Sequence, residues 1–361
     1  MSVTGPRGIR RQLGLLAGHR WWVLAGVLLG FLAIGSSVGL MAMSAWLISR
    51  AALVTNVADV ALAITAVRVL AIGRAAFRYL ERIVTHRATF RILSDLRVWF
   101  FAAIEPLAPA RLEGRRSGDL LTRIVADIDS LEDLFPRVVV PPIVAALVTA
   151  VASLCMGALD PLLGVVLAAF LVLTGGVLPL CLRWLGGRPS RHAVALRAEL
   201  QASLVDEVRG IADLVAFDGA TAHRDAVLAL GASLDAAGER MALVRGLGTA
   251  LGALLATLAA VTLLGIAIPL VTGGRLEGVM LAVVPLAAIA CFEAVQPLTQ
   301  SLQLLHSTGA AAERLFELTD ADPVVRDKAH PEPPPRGATS WSGTSPSDTR
   351  QTCRTPSGAS A

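Results

Sequence analysis

Four basic residues stand at intervals of four in one helix-forming stretch: Arg74, Arg78, Arg82 and His86. Side chains four apart share a helix face, so these form a slowly turning ladder down one side. Arg68 lies further up the same stretch, and Asp59 and Glu81 are its acids. Glu81 falls near Arg74 and Arg78 and can neutralise part of the charge. Charges inside a membrane span are costly and mark a pathway or a partner. Arginine's forked donors suit carboxylates, so the expected chemistry is capture of an anion in an inward-open cavity. The alternative is a solvated face at the lipid head groups. A second polar stripe is Glu293, Gln296, Gln300 and Gln303, at spacings of three and four. It reads either as cavity lining opposite the ladder or as interhelical hydrogen bonding. Pro297 predicts a kink there.

Other chemistries find no footing. The cysteines Cys155, Cys181, Cys291 and Cys353 form no CxxC pair. Three lie in apolar runs, where cysteine behaves as a small hydrophobe, so neither a disulfide framework nor a zinc site is expected. No Ser/His/Asp triad, paired catalytic carboxylates or metal-ligand cluster stands out. The expectation is no catalysis by this chain and no metal.

The elements that must position these residues are membrane spans. Of 361 residues, 54% are hydrophobic and 17% charged. Soluble domains sit nearer 45–50% and about 25%. The apolar excess is in blocks, which predicts an all-α polytopic membrane protein with spans at about 21–48, 57–80, 135–159, 162–182, 247–271 and 279–305. The first run is too long for a cleavable signal. No proline occurs from Ala51 to Glu105. Span 2 therefore continues as helix well past the bilayer, to about 75 Å if some 50 residues stay helical. Pro106 and Pro109 break it. A second polar helical region runs from Arg183 to Arg245. Lys328 is the only lysine, so the net charge of +4 is almost all arginine. The 82–134 connection alone holds eight arginines, whereas the short turns hold only Arg50 and Arg275. The positive-inside rule then puts both termini and both long connections in the cytoplasm. With no aromatic-basic motif, the basic balance points to anionic lipid rather than nucleic acid. Residues 1–20 are a basic lead-in, 21–322 the membrane domain, and 323–361 a Pro/Ser/Thr/Gly-rich tail expected to be disordered.

Six spans, short outer turns and two long inner helical hairpins resemble the transmembrane half of a type I (type IV in newer naming) ABC exporter. SGDLLTRIVADIDSLEDL, from Ser117 to Leu134, is similar to that family's first coupling segment, and ELQASLVDEVRGIADLVAFDGA, from Glu199 to Ala220, to its second. Within the family, RYLERIVTHRATFRILSDLRVWFFAAIEPLAPA (Arg78–Ala110) and CFEAVQPL (Cys291–Leu298) resemble CydC-type subunits of thiol-reductant exporters. The resemblance covers about residues 15–325.

That resemblance implies a heterodimer with a CydD-like subunit in a bacterial cytoplasmic membrane. It implies ATP-driven export of small thiols, glutathione or cysteine, in support of cytochrome bd assembly, by alternating access. It casts Ser117, Gly118, Asp119, Leu120, Leu121 and Arg123, and Val208, Arg209, Gly210 and Ile211, as coupling helices that seat on ATP-binding domains. It makes haem a further candidate, with His86 as an axial imidazole and Arg82 beside a propionate. Family members continue into an ATP-binding domain, but this sequence has no G-x-x-x-x-G-K-[ST] loop: Lys328 is followed by alanine without a glycine-rich approach. ATP and magnesium are therefore expected through another chain or a missing region, and the tail reads as replacing that domain. Two rival readings stay open: half of a lipid or drug ABC exporter, and a non-transporting membrane protein that binds haem or a partner.

Overall fold

The computed structural model describes residues 20–54, 56–107, 125–211, 216 and 220–320. Every described element is helical. Eight α-helices follow in order: α1 Arg20–Ala51, α2 Ala61–Ile104, α3 Val140–Leu159, α4 Pro161–Val172, α5 Leu178–Arg209, α6 Ala220–Thr272, α7 Met280–Cys291 and α8 Leu298–Thr319. They make six helical stretches long and apolar enough to cross a membrane. Lipid offers no hydrogen bonds, so each spanning backbone must pair within its own segment, and the helix does this.

Span 2 is the expected long helix. A single 3-10 turn at Val57–Val60 leads into the 44 residues of α2, about 66 Å of rise. A 3-10 turn at Glu105–Leu107 ends it, where Pro106 stops propagation.

Spans 3 and 4 are not the plain helices expected, and the disturbance expected in span 6 at Pro297 is a full break. Span 3 is entered through a π-helical turn at Leu134–Val139. Span 4 and its extension are joined by another at Leu173–Val177. Span 6 is broken between α7 and α8 by a 3-10 turn at Phe292–Ala294. Each irregularity lies just ahead of proline: Pro141-Pro142, Pro179 and Pro297. Proline has no N–H and its ring crowds the carbonyl four residues back, so the preceding turn re-pairs as a wider or tighter one.

One freed carbonyl is recovered across the bundle. Arg137 faces prolines at both i+4 and i+5, so neither an α nor a π bond can reach its oxygen. The Ser301 hydroxyl of α8 donates to it at 2.5 Å. Ser301 is buried.

The core lies where α3, α4, α6 and α7 meet, around Leu163, Leu167, Leu171, Leu263, Val284 and Phe292. The α3–α4 hairpin is tight: a Cβ on Gly164 would stand 2.5 Å from the Ser153 carbonyl oxygen, so only glycine fits. At the hairpin's tip Asp160 caps α4 by accepting from the Leu162 N–H at 2.9 Å. Its other oxygen meets Arg275 of the span 5–6 turn at 3.1 Å, which ties two short turns together.

Ser301→Ala should strand the Arg137 carbonyl, which has no intrahelical donor, and cost about 1–3 kcal/mol. Thermal unfolding in detergent should show a lowered midpoint, and an unchanged midpoint would mean that this bond is not needed.

Candidate functional site

The ladder lies on α2 with its register set by α1. The two helices run antiparallel in close contact. A Cβ on Gly26 would meet Thr85 at 3.3 Å, one on Gly30 would meet the stem of Glu81 at 3.9 Å, and one on Gly73 would meet Ser36 at 3.6 Å. At the far end of this ruler the Arg91 guanidinium lies 4.7 Å over the Trp22 ring. Counting from Arg91 at about 1.5 Å per residue, His86 stands about 8 Å further along, Arg82 about 14 Å, Arg78 about 20 Å, Arg74 about 26 Å and Arg68 about 35 Å.

All five basic residues are exposed on this chain. Arg68 and His86 are 18 residues apart, about five whole turns, so the set spans an arc of about 120°. Buried residues of α2 lie beside this arc at Ala63 and Ala88 and, toward the Arg91 end, within it at Thr85 and Leu93. The five basic side chains stay exposed on the described part of the chain, as do the apolar Leu62, Val69, Ile72 and Tyr79 of the same helix, so α2 offers much of its surface to something outside this chain. Glu81 is half-buried at the edge of the arc, against α1.

The carboxylate in contact with Arg78 comes from span 6. Arg78 Nη2 donates to Glu293 Oε1 at 2.5 Å. The Ser37 hydroxyl of α1 donates to Glu293 Oε2 at 2.7 Å. Glu293 thus joins three spans from the 3-10 turn at which span 6 stops being an α-helix. The neighbours Phe292, Ala294 and Val295 face the core. Gln296 and Gln300 are exposed, and their side chains make no hydrogen bond among the described residues. Gln303 is exposed too.

His86 is exposed, and its imidazole carries no hydrogen bond among the described residues. Its ring lies 6.2 Å from that of Phe90, tilted by 31°. The imidazole is thus open, with Arg82 one turn away, a donor set that fits a haem iron and a propionate.

Of the coupling residues, Ser117, Gly118, Asp119, Leu120, Leu121 and Arg123 lie outside the described residues. Val208 and Arg209 form the last turn of α5, and Gly210 caps it by donating its N–H to the Asp206 carbonyl at 2.8 Å. They belong to the end of a 32-residue helix rather than to a short separate one; Val208 and Ile211 are exposed. Residues 212–215 lie outside the described residues, as does the segment from 321 onward.

Sequence reasoning missed a second polar cluster, next to the first coupling segment. Arg314 near the end of α8 grips Asp127 with both fork nitrogens. Arg97 of α2 donates to Asp129 at 2.8 Å. Beneath them Leu93, Leu96, Phe100, Ile128, Leu131, Ala312 and Leu315 form a buried cluster, and Trp99 meets Phe316 edge-on at 5.9 Å. The ends of spans 2 and 6 and the entry to span 3 are thereby one packed unit. The only sequence signal was the apolar spacing of ERLFEL, because Asp127 and Arg314 are 187 residues apart. Ser37 was missed as well; the Ser36-Ser37 pair inside an apolar span was its one mark.

Asp127→Asn should lower stability by about 1–2 kcal/mol, since Asp127 is nearly buried while Arg314 is half open to solvent. Arg314→Lys should recover only part of the wild-type midpoint, because an ammonium cannot reproduce the two-pronged contact. Equal midpoints for wild type and both variants would remove the clamp from consideration.

Comparison with known proteins gives the family. Residues 22–293 match the ABC transporter transmembrane region. The glutathione/L-cysteine transport system ATP-binding/permease protein CydC of Escherichia coli K12 is 33% identical over 324 residues, covering 88% of this chain and 56% of that protein. CydC of Haemophilus influenzae Rd is 31% identical, covering 86% and 54%. CydD of Bacillus subtilis 168 is 32% identical over 188 residues, 52% of this chain and 33% of CydD. The chain spans a little over half the length of the CydC proteins it matches. With six stretches able to span and a match over three-quarters of its length, this is a multi-pass membrane protein that belongs to the family of ABC transporter transmembrane regions, of the CydC type.

Proposed function

We propose that the chain is the transmembrane subunit of an ATP-driven exporter of small thiols that carry carboxylates, glutathione or cysteine. It would sit in a bacterial cytoplasmic membrane, with both termini inside, paired with a CydD-like subunit. One observation carries the reading: exposed basic side chains on span 2 that run deep. With Trp21-Trp22 as the interfacial mark, the antiparallel register puts Arg82 and Arg78 about 14–20 Å inward, near the middle of a hydrocarbon core about 30 Å thick. A head-group location does not account for guanidinium groups at that depth. Lipid would penalise them, so the face must line a wet pathway or meet a partner. Carboxylate ligands fit its forks. The names of the CydC relatives favour glutathione and cysteine. ATP and magnesium would act through a nucleotide-binding domain outside this sequence. The packed unit at Asp127 and Arg314 would pass that domain's closure to the spans. Support of cytochrome bd assembly belongs to the same reading.

The test is glutathione uptake into inverted vesicles that hold the chain and a CydD-type partner. Arg74→Gln and Arg82→Gln should each reduce uptake about tenfold or more, the size expected for losing a charged hydrogen bond. Unchanged uptake in both variants overturns the reading. ATPase activity stimulated by apolar drugs and not by thiols would favour a lipid or drug exporter.

The open imidazole of His86 favours a second ligand, haem, held with Arg82 nearby. Haem supplies an absorbance spectrum that reports its axial ligand. His86→Ala should shift that spectrum and weaken haem retention by the chain; a spectrum insensitive to the change excludes His86. Stable haem binding without any thiol-stimulated ATPase would instead favour a non-transporting haem-binding or scaffold role.

A further inference from the structure

We propose that Glu293 is a built-in stand-in for the substrate carboxylate: it occupies Arg78 while the pathway is empty, and an arriving carboxylate displaces it and frees the joint in span 6. The inference rests on the anion-pathway reading of span 2 and adds how occupancy of that pathway is sensed.

Arg78 lies in the middle of the basic row, and among the described residues it is the row member in contact with a carboxylate. This chain does not enclose the pair, with side-chain exposures of 53% for Arg78 and 32% for Glu293, and on the pathway reading that open side faces water. Open ion pairs are weak, and a free carboxylate offers Arg78 the same chemistry that Glu293 offers. Exchange between them is therefore nearly balanced, and Arg74 and Arg82, one turn to either side, tip it toward a ligand with more than one carboxylate. A deeply buried pair would not exchange in this way.

What the exchange releases is set by where Glu293 stands. At the break the backbone re-pairs locally: the N–H groups of Val295 and Gln296 both donate to the Phe292 carbonyl, at 3.1 and 3.2 Å, and Leu298 donates to Val295 at 3.1 Å. Pro297 has no N–H to offer the Glu293 carbonyl, so an α-helical bond is denied at this place. The joint is a hinge by construction. The Glu293 side chain bolts it to α2 through Arg78 and to α1 through Ser37. Substrate and Glu293 compete for one guanidinium, so binding of the one is release of the other. Span 6 then becomes free to move against spans 1 and 2 when the pathway is loaded, which links cargo to motion by differential contact.

The experiment uses the full chain with its CydD-type partner in nanodiscs. Glutathione is the probe and glutathione diethyl ester, with its carboxylates capped, the control. Two quantities are read: the glutathione dissociation constant, and amide exchange across residues 292–300. Glu293→Gln keeps the shape and the partner for Ser37 but removes the competing charge. It should bind glutathione about three- to tenfold more tightly than wild type, with no gain for the ester. Wild-type exchange across 292–300 should rise when glutathione is added. In Glu293→Gln it should already be raised and should not respond. Ser37→Ala, which loosens the bolt from the other side, should tighten binding about twofold, and Glu293→Asp should return both readouts toward wild type. Equal or weaker binding by Glu293→Gln and Ser37→Ala, with Arg78→Gln losing binding, overturns the stand-in and leaves the pathway reading in place. Arg78→Gln binding as tightly as wild type, or no glutathione binding by any form, overturns the pathway reading and this proposal with it.

Discussion

The bilayer core supplies no hydrogen bonds, and most of this chain's architecture follows from that. Each spanning segment must satisfy its own backbone, so the segments are helices. Where proline removes a donor, another group must take its place. The buried Ser301 hydroxyl does so for Arg137, across 164 residues of sequence. Elsewhere the repair is local, as a π-turn ahead of Pro179 and a 3-10 turn ahead of Pro297. The same scarcity governs charge. Glu293 reaches Arg78 and Ser37, and Asp160 holds both an N-cap and Arg275.

The irregularities are also where the spans communicate. At the break in span 6 Phe292, Ala294 and Val295 stay in the core while Glu293 reaches spans 1 and 2. At one end of the bundle the Asp127–Arg314 contact and its apolar bed tie spans 2, 3 and 6 together. At the other end Asp160 and Arg275 tie two short turns. Between these fastenings the basic side chains of α2 stay exposed on this chain, where charge is costly unless water or a partner meets it.

Much of this was legible in the chain itself, for a local reason. Six apolar runs give six spans because span length is fixed by bilayer thickness. The absence of proline from Ala51 to Glu105 gives a helix that outruns the bilayer. The ladder is readable because helical period is a property of near neighbours. The disturbance near Pro297 was readable too, although its form, a full break that starts at Phe292, was not.

What only the tertiary structure decided is which distant groups meet. Glu293 is 215 residues from Arg78 and 256 from Ser37, and nothing local marks it as their partner rather than Glu81, three positions from Arg78. Asp127 and Arg314 likewise look like ordinary charges at span ends until the packing of Phe100, Leu131 and Leu315 brings them together. The second coupling segment shows the same limit: Val208 and Arg209 read as part of the short coupling helix that follows, but they are the last turn of α5, which runs unbroken to Gly210. Sequence carries periodicity and composition, which act over a few residues. Contact between spans is set by how several helices share one core, and that sum is not written in any single stretch.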